Sequence, residues 1–277
     1  MFRVLCIALS VACIGFGCGF ARHSSARIDY LTTASQGEDL GTLIAPSTRP
    51  SERQCLLVLF PGIGDAAAQF EREGFVDDAR TAAPECDLVL LEAPFAYYMT
   101  RMLENRVAID VLAEARRWGY RNIWLVGVSL GGYGAVLTAR AHPDLVDGVV
   151  LLAPVLGVPP RDEAAAATVK DAGGLHAWRG TPDPNPRHHF SEPLLVWDWL
   201  RSQVDHSAYG REDIRAPVHQ VLAEALPAEH RFVAEGAHDW PTWRALWSQV
   251  LAARPWQNSP GATGVLAGLP SSRGSAL

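Results

Sequence analysis

Four short runs rich in Val, Ile and Leu, at residues 56–60, 88–91, 123–128 and 149–152, constrain the fold of this chain most tightly. Each is long enough for a strand and too short for a helix. None alternates with polar residues, as expected of strands buried on both faces of a parallel sheet. Amphipathic segments near 66–82, 101–118 and 132–141 lie between them. A parallel neighbour is reached only by a crossover, and such crossovers are right-handed. The alternation therefore predicts an α/β fold with a doubly wound sheet. At 277 residues and 48% hydrophobic, the chain can bury one large core.

The flanking regions read differently. Residues 28–54 are mixed and polar, and suit an edge hairpin. Residues 157–206 break the alternation with Pro159-Pro160, Gly173-Gly174 and a run from Thr181 to Pro186, with Trp178, Trp197 and Trp199 interspersed. A structureless loop of that length is improbable in a compact domain, so a small cap insertion of short helices is expected there. Regular structure resumes around Ala208, with one helix near 217–226 and another after Pro241. From Pro255 the composition turns to Gly, Ser and Pro, which predicts a disordered tail over 255–277. The folded domain is thus expected over 27–254.

The first 26 residues have the parts of an export signal: Arg3, an uncharged apolar run to Phe20, then the small residues Ser24-Ser25-Ala26. A cleaved signal peptide, a membrane anchor and lipid attachment at Cys18 or Cys13 are all open readings, so the protein is expected to be exported, with membrane association through its N-terminus one of the forms. Outside this leader only Cys55 and Cys86 remain, each opening a predicted strand. On neighbouring parallel strands they would sit side by side, and a disulfide would suit an oxidising compartment. The preferred reading is nevertheless two free cysteines acting as small core hydrophobes. The formal net charge of −6 leaves no basic surplus to displace counterions, which argues against nucleic acid as a partner.

The chemistry concentrates in Gly127-Val128-Ser129-Leu130-Gly131, directly after a strand pattern and before a helix pattern. A serine on so tight a strand-to-helix turn needs neighbours without Cβ atoms, and the following helix turns its N-terminal N–H groups toward developing negative charge. Pro61-Gly62-Ile63-Gly64, also after a strand, is placed to offer a second N–H. The expected oxyanion donors are the backbone amides of Leu130 and Ile63. Chain order requires an acid and then a histidine downstream of the serine. His238, in a loop between a strand-like run and a helix, is the expected base. Asp213 is the expected acid, with Glu212, Asp205 and Asp162 as rivals. Asp239 reads as a loop-ordering residue. Tyr97, Tyr98 and Trp240 are candidates for lining a substrate site. No zinc spacing and no phosphate-binding loop occurs, so neither metal nor cofactor is expected.

From about residue 50 to 252 the chain resembles the α/β-hydrolase superfamily. The run 127–135, Gly-Val-Ser-Leu-Gly-Gly-Tyr-Gly-Ala, looks like the nucleophile turn of esterases. Gly236-Ala237-His238-Asp239-Trp240 is similar to the histidine loop of enterochelin-esterase-like and feruloyl-esterase-like enzymes. The resemblance implies eight mostly parallel strands with helices on both faces, and a Ser129–His238–Asp213 triad that cleaves a small-molecule ester or thioester. Pro61-Gly62 departs from the commoner His-Gly oxyanion loop. An acyltransferase using the same acyl-enzyme, and a non-catalytic envelope-associated binding protein, are the alternatives.

Overall fold

The computed structural model describes residues 29–31, 42–45, 55–157, 160–180, 193–203 and 206–257. The expected export segment and residues 258–277 lie outside them, as do His188, His189 and Asp205. Among the described residues no helix is long and apolar enough to cross a membrane.

The strands are β1 (Asp29–Leu31), β2 (Thr42–Ala45), β3 (Cys55–Phe60), β4 (Cys86–Leu91), β5 (Asn122–Val128), β6 (Gly148–Leu152), β7 (His206–Gly210) and β8 (Arg231–Ala234), in the sheet order β1-β2-β4-β3-β5-β6-β7-β8. Six of them, from β4 to β8 in that order, run parallel. The first two form an antiparallel pair on the β4 edge, where the sequence suited a hairpin.

The central strands are buried on both sides, so alternate residues feed two cores. Leu56, Val58 and Phe60 of β3, with Ile123 and Leu125 of β5, pack against one layer of helices. That layer comprises α3 (Phe95–Thr100), α4 (Leu103–Val107), α5 (Ala113–Arg117), α6 (Leu130–Ala141), α7 (Arg161–Asp171), α8 (Pro193–Gln203) and α9 (Ala216–Glu224). A π-helical turn, Ala108–Leu112, joins α4 to α5. Leu57 and Leu59 of β3, with Trp124, Val126 and Val128 of β5, face the opposite layer of α1 (Ala67–Arg72), α2 (Phe75–Ala82) and α10 (Trp240–Ala253). There the Trp247 ring stacks on Phe75 and its indole N–H donates to the Phe75 carbonyl at 3.0 Å.

Two sequence expectations need correction. Cys55 and Cys86 are not free thiols: they occupy matched positions on adjacent strands, 4.5 Å apart at Cα, and form a disulfide. Packing does not end at Pro255, because Pro255–Gln257 form a 3-10 turn that buries Trp256 to 1% exposure and brings its carbonyl to the Asn122 amide. Regular structure does resume near Ala208: despite poor strand composition, His206-Ser207-Ala208-Tyr209-Gly210 forms β7 by filling the position between β6 and β8. In the region expected to form a cap, α7 and α8 send Ala165, Ala166, Val169, Val196, Trp197 and Leu200 into the main core. The residues between them, 181–192, lie outside those described.

Candidate active site

Chain order reverses at β3, with β4 on one side and β5 on the other. In open α/β sheets this reversal opens a crevice beyond the C-terminal ends of the two strands, where ligands bind. Ser129 follows β5 and the 61–65 loop follows β3, so both stand at that crevice.

Ser129 has φ 52° and ψ −117°, a conformation that costs a non-glycine residue about 1–3 kcal/mol and persists only where its surroundings enforce it. Those surroundings are specific. The Ser129 N–H donates to Leu152 O at 3.0 Å, and its carbonyl accepts from Gly132 N–H at 3.0 Å and Val155 N–H at 2.8 Å. Crowding explains the flanking glycines. A Cβ on Gly127 would strike the backbone of Gly131 and Gly132, and one on Gly131 would strike the carbonyls of Phe60 and Pro61.

His238 lies in the loop between β8 and α10. Its Nε2 is 2.8 Å from Ser129 Oγ and its Nδ1 is 2.7 Å from Asp213 Oδ2. A carboxylate only accepts, so Nδ1–H donates to Asp213 and Nε2 is left to accept the Ser129 hydroxyl proton. The imidazole packs edge-on against Trp243, with centroids 5.0 Å apart. Asp239 caps α10 by accepting the Thr242 N–H at 3.0 Å, as the sequence reading of a loop-ordering residue implied.

Asp213 follows β7. The Arg211 and Glu212 amides donate to Ala234 O and Gly236 O at 2.9 and 3.0 Å, so the acid turn and the histidine loop are hydrogen-bonded to each other. Asp213 Oδ1 accepts the Arg215 N–H at 2.8 Å. Burial opposes ionisation of Asp213, but the bonds from His238 and the Arg215 amide outweigh it and hold the carboxyl below its usual range. Of the rival acids, Asp162 is wholly buried against Arg215 and Glu212 is exposed.

The segments that carry Leu130 and Ile63 meet at this edge. Leu130 opens α6, so its N–H has no carbonyl one turn back within the helix. A Cβ on Gly62 would stand 3.7 Å from that of Ser129, which puts the 61–65 loop directly against the serine turn. The Ile63 side chain points to solvent, 64% exposed. Asp65 closes the loop through its N–H to Gly62 O at 3.2 Å. Burial raises the Asp65 pKa, against a hydrogen bond with Trp240 that lowers it. Trp240 thereby joins this loop to the start of α10, while its ring packs edge-on against Phe70, Phe75 and Trp243. Tyr97 and Tyr98 are both 5% exposed. Tyr98 stacks on Phe95, and its hydroxyl lies where a side chain on Gly134 would project.

The sequence reading passed over Arg215 and His219. Arg215 joins α7 to the acid turn, and His219 faces Asp213 from α9. A histidine among the buried positions Val218, Val221 and Leu222, six residues after the acid, was the available signal for the second. Of the other histidines, His142 bonds Asn105 and His176 bonds Ala225 O. His206 stacks on His230 and Phe232.

The sheet order, the strained serine turn at the strand-order reversal and the aligned Ser129, His238 and Asp213 define an α/β-hydrolase fold. No family model and no curated protein matches the sequence. The chain is similar in structure to FphF, a fluorophosphonate-binding serine hydrolase of Staphylococcus aureus (TM-score 0.58, 12% identity, covering 83% of this chain and 98% of that one). It is also similar to a ferulic acid esterase (0.57, 15%, 84% and 98%) and to the S-formylglutathione hydrolase FrmB of Staphylococcus aureus (0.56, 15%, 85% and 98%). At these identities the likeness is one of fold.

Proposed function

We propose that this protein is a serine hydrolase that cleaves a small-molecule carboxylic ester or thioester through an acyl-enzyme. The reading rests on the unbroken line from Ser129 Oγ to His238 Nε2 (2.8 Å) and from His238 Nδ1 to Asp213 Oδ2 (2.7 Å). Its fold neighbours are esterases and serine hydrolases, which supports the same class.

In this mechanism Ser129 Oγ attacks the carbonyl carbon as His238 Nε2 takes the hydroxyl proton. The Leu130 and Ile63 amides receive the oxyanion, and Asp213 stabilises the imidazolium. When the tetrahedral intermediate collapses, the leaving oxygen or sulfur takes the proton from His238. Water, deprotonated by the same nitrogen, then releases the acid and restores Ser129. The exposed apolar side chains of Ile63, Phe95, Met99 and Met102, carried on the segments after β3 and β4, suit a substrate with an apolar group beside the ester.

The test is twofold. A fluorophosphonate should label Ser129, and Ser129→Ala should lower hydrolysis of an aryl ester by roughly 10⁴–10⁶. Full activity in the alanine variant would sink the reading. Competition between water and an added alcohol for the acyl group separates hydrolase from acyltransferase.

We infer that the enzyme works outside the cytoplasm. The N-terminal leader pattern and the disulfide of a chain with so few cysteines both support this. Cell fractionation with antibody detection tests it.

A further inference from the structure

Asp213 faces a second imidazole. His219, on the buried side of α9, is 0% exposed; its Nδ1 lies 3.9 Å from Asp213 Oδ2 and its Nε2 lies 2.9 Å from the Pro154 carbonyl oxygen. A carbonyl only accepts, so Nε2 carries the ring hydrogen. Nδ1 of the neutral ring is then bare, and it has no hydrogen-bond partner among the described residues. Burial keeps the ring neutral by pushing its pKa down to about 4, against the attraction of Asp213; His238 and Arg215 are the other charged or titratable groups that act on it. The Tyr209 ring lies beside it, tilted by 51° with centroids 5.8 Å apart.

The acceptor of that Nε2–H is no ordinary carbonyl. Pro154 abuts α6 where a Cβ on Gly132 would meet its ring at 2.6 Å, and the next residue, Val155, donates its N–H to the Ser129 carbonyl at 2.8 Å. The nucleophile is therefore held from two sides, although only the front one is hydrogen-bonded through to the acid. The front one, through His238, moves protons. The rear one runs from Ser129 through Val155, Pro154 and His219 to the face of Asp213.

We propose that His219 is a positioning residue that braces the serine turn from behind while offering no competing donor to the acid. Its Nε2–H tethers the Pro154–Val155 segment, on which the backbone angle of Ser129 depends. Its bare Nδ1 presents no donor to Oδ2, so that oxygen remains directed at His238 alone. The proposal rests on the serine hydrolase reading above.

Two near-isosteric variants separate the two nitrogens. His219→Gln can place an amide N–H near the Nε2 position, within reach of Pro154. His219→Asn falls short of Pro154 and brings an amide donor toward Asp213. The expected result is a fall in kcat of about 10–100-fold for His219→Asn, from displacement of the reacting groups by a fraction of an ångström to about 1 Å. KM should change by less than about twofold, because no substrate contact is touched, and His219→Gln should recover kcat to within about threefold of wild type. A folded His219→Asn protein with wild-type kcat, or equal losses in both variants, overturns the proposal. If neither variant folds, the ¹⁵N resonances of His219 in the wild-type protein decide: Nε2 protonated and Nδ1 bare at neutral pH supports it, and any other state overturns it. Fluorophosphonate labelling of wild-type Ser129 keeps the outcomes apart. Labelling with an inert His219→Asn change defeats this proposal alone, whereas no labelling at all defeats the parent reading.

Discussion

Asp162, wholly buried on α7, is paired with the guanidinium of Arg215, whose own backbone N–H holds Asp213 Oδ1 at 2.8 Å. One residue thus ties the acid turn to a helix 53 positions earlier in the chain. The pair is unsymmetrical in exposure, at 19% for the arginine side chain and 0% for the aspartate. Removing the arginine strands a buried carboxylate; removing the carboxylate leaves a cation that reaches water. Arg215→Met should therefore cost about 3–5 kcal/mol, as loss of one partner from a buried pair does. Asp162→Asn should cost less. Urea denaturation of both variants checks the order, and equal midpoints would contradict it.

Asp213→Asn should leave the fold intact and lower kcat by about 10⁴, because an amide in place of the carboxylate cannot stabilise the imidazolium and favours the wrong tautomer of His238. Steady-state hydrolysis of an aryl ester measures this. A loss below tenfold would point to another acid.

Acid should destabilise the protein well above the carboxylate range. His206 and His219 both have pKa values lowered from 6.5 to about 4 by burial, with the nearby His230 also acting on the first. Below pH 6.5 the unfolded chain protonates these rings while the folded protein does not. Stability is therefore full above 6.5 and falls as the pH drops from there toward about 4. Asp213, whose folded pKa is lowered below 3.8, extends the loss to still lower pH as it is protonated. Urea midpoints at pH 7 and pH 5 test the upper window. His206→Phe should flatten the dependence, and identical midpoints would rule out the linkage.

Loss of the disulfide should affect stability and spare chemistry. Cys55 and Cys86 open β3 and β4, at the end of the sheet opposite Ser129, and are 2% and 1% exposed. The bridge closes a loop of 31 residues. Replacing both cysteines by alanine should cost about 2–4 kcal/mol, mainly by freeing the unfolded chain. Thermal melts should show the drop, with unchanged kcat at a temperature where the variant is folded. Reductant should leave the native wild-type protein intact, since the sulfurs are reached only after unfolding.

The parts of the site that were legible before the fold were those whose local geometry demands particular residues. Gly127 and Gly131 are forced by backbone contacts within a few residues of Ser129 and with Phe60, and the capping aspartate before Trp240-Pro241 announces the start of α10. The segment Phe95–Thr100, α3, escaped because six residues, fewer than two helical turns, are too short to display a helical period. The start of β7 at His206 was not legible because its strand character comes from its neighbours: Ser207 and His206 are buried between β6 and β8 although neither residue favours a strand by itself. His219 looked like any helix histidine until Asp213 and Pro154 were seen on either side of it.

The order of apolar runs and helices, the glycines around Ser129 and the capped loop at His238 are consequences of local sterics and burial periodicity, and one chain read in order reveals them. Which carboxylate meets the histidine, whether two cysteines touch, and which buried imidazole stands behind the acid depend on the pairing of β3 with β4 and of β7 with β8. Those pairings are set by the packing of both sheet faces at once, and no stretch of the sequence carries that information alone.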